Sequence, residues 1–211
     1  MNAIICDVDE VIFSLSPKWV SMALKDKILF PRIRNFDVIA AHNAGKDAFI
    51  ACVLNRTEYD LTKWLGLSDL AKDYFMDIYR ECTTFYSDLP LTTFGTNLLV
   101  NKQAKKMIFV SHVVGGPVDD SKKEAIHSRF KNSNYAYYSV MGGFKKSDKI
   151  KEVCPEFDMF VDDCPSNILD VMSECGKPGQ KFLMPMYGYN KTAPLILETA
   201  VQKTKTDFIV Y

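Results

Sequence analysis

Ile4-Ile5-Cys6-Asp7-Val8-Asp9-Glu10-Val11-Ile12 is the stretch on which the reading of this chain turns. A short apolar run rich in branched side chains reads as a buried strand. Two carboxylates, one residue apart, follow it at the strand's C-terminal end. In open α/β sheets, ligands bind outside the C-terminal ends of the strands. Side chains alternate along an extended backbone, so Asp7 and Asp9 face the same side and can share one site. Taken alone, Asp-x-Asp is common and often marks only a turn.

Three later stretches extend the pattern. Met107-Ile108-Phe109-Val110-Ser111-His112 is an apolar run that ends in a hydroxyl. Lys145, Lys146 and Lys149 cluster where a helical segment opens. Met159-Phe160-Val161-Asp162-Asp163-Cys164-Pro165-Ser166-Asn167 is a third apolar run, ending in an acid pair. The order is therefore strand and Asp-x-Asp, strand and Ser, Lys, strand and Asp-Asp. This order resembles the four motifs of the haloacid dehalogenase-like hydrolase superfamily. The motifs run from Asp7 to Asp163, most of the chain.

The resemblance implies a mechanism. Asp7 would be the nucleophile that carries the phosphoryl group, and Asp9 the general acid and later base. Ser111 would donate a hydrogen bond to the phosphoryl group, and a lysine would stabilise its charge. Lys146 best matches that lysine, with Lys149 one turn on and Lys145 just before it as alternatives. The metal would be held by Asp7, Asp162 and Asp163, together with Asp9 through its backbone carbonyl. Glu10 stands where many superfamily members carry glycine; it would lie near a hinge or face solvent.

Electrostatics leads to the same metal. Asp7, Asp9, Asp162 and Asp163 in one small site repel one another. Two unit charges ~4 Å apart cost about 4 kcal/mol at an effective dielectric near 20. Without a cation some of these groups bind protons instead. All-oxygen carboxylate ligation is the pattern of Mg2+, which is therefore the expected cofactor.

The chain of 211 residues is long enough for a real core and carries 26 basic and 26 acidic side chains. Composition thus forces no long basic face toward nucleic acid. Its six cysteines form no Cys-x-x-Cys pair, so a zinc or redox site is not expected. They read as reduced thiols of a cytoplasmic protein. No signal-peptide pattern and no membrane-length apolar run is present. There is no phosphate-binding Gly-x-x-x-x-Gly-Lys-Ser/Thr loop and no Gly-x-Gly-x-x-Gly after the first strand.

Strand then helix, repeated, predicts βαβ units and an α/β fold with a Rossmann-like parallel sheet. Residues 1–13 and 90–211 are expected to form that core. Residues 14–89 read as an inserted helical segment, by resemblance a cap over the active site. Ser16 is the expected N-cap of a first helix with Pro17 at its start. Residues 96–106 and 120–129 are expected as helices, the second on the surface, and 208–211 as a tail.

The size and place of the insertion, and the segment Phe182 to Asn190, resemble the 5′(3′)-deoxyribonucleotidases of this superfamily. A nucleoside monophosphate is therefore the first-choice substrate, with Phe13, Trp19, Phe36 and Tyr189 as candidate base platforms. A sugar phosphate or other small metabolite is the second reading. A non-catalytic phosphate-binding module of the same fold is the third; intact Asp7 and Asp9 speak against it.

Overall fold

The computed structural model describes residues 3–100 and 106–211. The chain is α/β, with a six-stranded, wholly parallel sheet in the order β3-β2-β1-β4-β5-β6. The strands are β1 Ala3–Cys6, β2 Lys106–Val113, β3 Tyr135–Met141, β4 Phe157–Val161, β5 Lys181–Met184 and β6 Asp207–Val210. The topology is that of a Rossmann-like core, as the strand–helix repeat predicts.

β1 is wholly apolar, and its neighbours β2 and β4 are mostly so, because helices cover both faces of the sheet centre. Strand alternation divides their side chains between two cores. Ile5, Ile108, Val110 and Phe160 face one side, with Ile150, Ile168, Val171, Met172 and Leu197. Those five residues come from α8 Lys146–Val153, α9 Pro165–Cys175 and α10 Ala193–Thr204. Cys6, Phe109 and Val161 face the other, with Val118, Ile126 and Phe130 of α7 Pro117–Phe130.

The second core also takes in the helical insertion. Between β1 and β2 run α1 Ser16–Lys25, α2 Phe36–Ala44, α3 Lys46–Leu54, α4 Leu61–Trp64, α5 Asp69–Arg80 and α6 Thr93–Val100. Trp19 of α1 packs on Phe75 of α5 with ring centroids 3.8 Å apart, and both belong to the cluster that holds Cys6 and Phe109. The insertion and the sheet therefore share one apolar core.

Several local expectations are revised. Ser16 does not cap α1 from outside; it lies in the first turn, and its N–H and hydroxyl both donate to the Glu10 carboxylate. An acid six residues upstream thus satisfies the helix end and meets its positive pole. The tail after α10 is a strand: β6 pairs with β5 and forms one edge of the sheet. The helix expected over 96–106 begins at Thr93; 101–105 lie outside the described residues. The helix expected over 120–129 is longer, and it is not wholly a surface element, because Lys122 is buried within it. No helix among the described residues is long and apolar enough to cross a membrane. All six cysteines are unpaired.

Candidate active site

The parallel register brings the acids together. Cys6 pairs with Val161, and the Asp7 N–H continues the ladder to the Val161 carbonyl at 2.8 Å. β1 and β4 thus end side by side, with Asp7 beside Asp162 and Asp163. Oxygen atoms of Asp7, Asp162 and Asp163 lie within 4.8 Å of one another, and all three residues are buried.

Lys146 opens α8, and its ammonium enters this cluster with no exposure to solvent. Nζ lies 2.8 Å from Asp7 Oδ1 and 2.7 Å from Asp162 Oδ2. Burial opposes its charge, but Asp162 and Asp7 outweigh that and hold the lysine above its ordinary pKa. The alternatives lie elsewhere: Lys149 pairs with Glu152, and Lys145 is 3.5 Å from Asp170.

The three acids differ in charge balance. Burial would raise Asp7, but Lys146, helped by Lys122, brings it below the ordinary carboxylate range. Burial raises Asp162 despite Lys146. Burial, then the charges of Asp162 and Asp7, push Asp163 well above that range. One lysine therefore does not neutralise three carboxylates. A divalent cation would, and the all-carboxylate donor set fits Mg2+.

Asp9 stands apart from this trio. Its Oδ2 accepts from Lys122 Nζ at 2.8 Å and its Oδ1 from the Tyr86 hydroxyl at 2.7 Å. Its carboxylate is occupied by these two donors, which leaves the backbone carbonyl for the metal role the resemblance implies. Ser111 lies within β2 rather than at its end, fully buried. Its hydroxyl accepts from Lys122 at 3.2 Å, so one ammonium joins Ser111 to Asp9.

Lys122 and Tyr86 are functional candidates that sequence reasoning missed. Lys122 had a legible signal: it falls on the apolar stripe of α7, between Val118 and Ile126 at helical spacing. A lysine interrupting such a stripe is buried for a reason. Tyr86 had none, since its neighbours Phe85 and Leu89 are core residues too.

Glu10 does not face solvent. It is 4 % exposed and holds a left-handed backbone with φ 57°. Two contacts fix it there: its carboxylate on Ser16, and its carbonyl, which accepts from the Tyr187 hydroxyl at 2.7 Å. Burial raises Glu10 above its ordinary value.

The segment after β5 closes the site. The Tyr189 hydroxyl donates to Asp163 Oδ2. Asn190 Nδ2 donates to the carbonyls of Asp163 and Pro185, both at 2.9 Å. Across from it, the turn after α3 supplies Arg56 and Tyr59. Tyr59 meets the Tyr189 ring edge-on at 5.3 Å and is 52 % exposed. The charge on Asp163 raises its phenol above the ordinary value. Of the expected base platforms, Phe13 and Trp19 are buried core and cannot receive a ring; Phe36 is exposed.

Cysteine chemistry is disfavoured here. Cys6 is buried against Asp7 and Asp162, and burial first, then those charges, hold it as a thiol. Among known proteins, no family model matches the chain and no curated protein matches it.

Proposed function

We propose that this protein is a Mg2+-dependent phosphatase of the haloacid dehalogenase-like type, with a nucleoside monophosphate as first-choice substrate. The observation that carries the reading is Lys146, buried between Asp7 and Asp162 with Asp163 adjoining. A nucleophile, a fixed cation and a divalent-ion donor set meet at the C-terminal ends of two adjacent strands.

Asp7, Asp162 and Asp163 would hold Mg2+, which when bound polarises a phosphoryl oxygen and offsets negative charge. A carboxylate oxygen of Asp7 attacks phosphorus, and the ester P–O bond breaks. Asp9, carrying a proton on the oxygen that at rest accepts from Lys122, gives it to the departing alkoxide. Water then attacks phosphorus in the aspartyl-phosphate, Asp9 takes the proton, and phosphate leaves with Asp7 restored. Lys146 stabilises the charge on Asp7 and the phosphoryl oxygens. Lys122 holds Asp9 and the Ser111 hydroxyl in register. The helical insertion acts as a lid whose Tyr59 overhangs the acids. That half-exposed ring, rather than Phe13 or Trp19, is the surface offered to a nucleobase.

The test is phosphate release with Mg2+ on deoxyribo- and ribonucleoside monophosphates beside sugar phosphates. Preference for a nucleotide supports the full reading. Preference for a sugar phosphate keeps the chemistry and discards the nucleotide. No release from any ester, with folded protein and Mg2+ present, contradicts the proposal.

A further inference from the structure

We infer that Tyr189 is a positioning residue for the divalent cation, and that Arg56 of the helical insertion acts on the cation through it. The inference rests on the reading of Asp163 as a cation ligand.

A phenol has one proton to donate, and Tyr189 gives it to Asp163 Oδ2. That bond fixes the carboxylate plane and leaves the other oxygen for the ion. Hydrogen bonds of this kind orient metal ligands, and their loss typically costs about 10- to 100-fold in metal affinity. The backbone of Asp163 is tied to the same loop through Asn190, whose Oδ1 also accepts from the Tyr187 N–H at 2.8 Å. Ligand and loop therefore move together.

The loop in turn rests on the insertion. The Arg56 guanidinium lies 4.3 Å from the Tyr189 ring centroid. Tyr187 stacks on Tyr189 at 5.5 Å with planes 13° apart. Between the two tyrosines, Gly188 allows a backbone approach that no other residue permits. A Cβ there would come within 2.3 Å of the Asn55 carbonyl and 2.4 Å of the Arg56 carbonyl. Arg56 is 4 % exposed; its Nη1 donates to the Val53 carbonyl at 3.1 Å, while its buried Nε finds no acceptor. Burying a cation with an unmet donor is unfavourable, and what Arg56 meets there is the charge of the Glu10 carboxylate and the face of Tyr189. Its place over Tyr189 ties the insertion to the loop that holds Asp163. Docking of the insertion and cation binding at Asp163 are then linked, and linkage runs both ways.

Mg2+ affinity, measured by calorimetry on the full chain, tests this without reference to turnover. The proteins are wild type, Tyr189→Phe, Arg56→Met and the double variant. Tyr189→Phe keeps the ring and loses the hydroxyl; it is expected to weaken Mg2+ binding about 10- to 100-fold. Arg56→Met is expected to weaken it by a smaller factor, and to add nothing in the Tyr189→Phe background. Equal or tighter binding by Tyr189→Phe overturns the inference, as does strict additivity in the double variant. A merely structural role would lower the metal-free melting temperature and leave Mg2+ affinity unchanged, which also overturns it. Wild-type protein that binds no Mg2+ overturns both this inference and the proposed function. Wild type that binds Mg2+ and releases phosphate, beside an equally tight Tyr189→Phe, overturns the inference alone.

Discussion

Lys146 Nζ stands 2.8 Å from Asp7 Oδ1, and the lysine side chain has no contact with solvent. Removing one partner of a buried ion pair strands the other, at a cost of about 3–5 kcal/mol. Lys146→Met should therefore lower the melting temperature of the metal-free protein, because Asp7 and Asp162 lose their fixed cation. Mg2+ should restore part of that loss, and phosphate release should fall by about 100-fold or more. A Lys149→Met control, on an exposed pair with Glu152, should change neither.

Lys122 predicts a second loss of activity where charge pattern alone reads only a surface helix. Its ammonium joins Asp9 to Ser111. Lys122→Met should reduce kcat/KM by about 100-fold, the scale of one preorganised donor. Lys123→Met, one residue on and exposed, should leave kcat/KM unchanged. Equal effects of the two substitutions would remove Lys122 from the site.

The acid trio predicts how stability depends on pH. Asp162 and Asp163 are raised above the ordinary carboxylate value of about 4. What they contribute is present in full below that value and is lost as pH rises through their raised ones. Asp7 is lowered, so its contribution is complete above about pH 4 and is lost only on further acidification. Between about pH 4 and the raised values, the trio should therefore destabilise the metal-free protein as pH increases. Mg2+ competes with protons for the same oxygens, so its gain in melting temperature should be larger at pH 8 than at pH 5.5. Melting curves at both pH values, with Mg2+ and with a chelator, check this; a gain that shrinks with pH contradicts it.

Glu10 separates backbone strain from helix capping. A non-glycine residue in the left-handed region costs roughly 1–2 kcal/mol. Loss of the carboxylate leaves the Ser16 N–H and hydroxyl without their acceptor, about 1–2 kcal/mol. Glu10→Ala suffers both effects, whereas Glu10→Gly relieves the first. Thermal or denaturant unfolding should place Glu10→Gly above Glu10→Ala by roughly 1 kcal/mol, with wild type above Glu10→Ala.

Much of this was legible in the sequence for identifiable reasons. β4 and β5 are short apolar runs between turn residues, and their bounds follow from that pattern. Asp7, Asp162 and Asp163 converge because parallel strands align their C-terminal ends, which strand order alone implies. Among Lys145, Lys146 and Lys149 the sequence favours Lys146 only by its place at the helix start, since one helical turn separates it from Lys149; the structure puts the Lys146 ammonium between Asp7 and Asp162. Glu10 was illegible because its anchor, Tyr187, lies 177 positions away. β6 read as a tail because edge strands need only half an apolar face, and its burial alternates accordingly.

The central claim is that Asp7 carries the phosphoryl group. Its most direct measurement is Mg2+-dependent phosphate release by wild type and by Asp7→Asn, side by side, with melting curves to show that both are folded. Wild type is predicted to release phosphate, and Asp7→Asn to release none above the uncatalysed background. A folded Asp7→Asn protein that turns over at the wild-type rate would contradict the account.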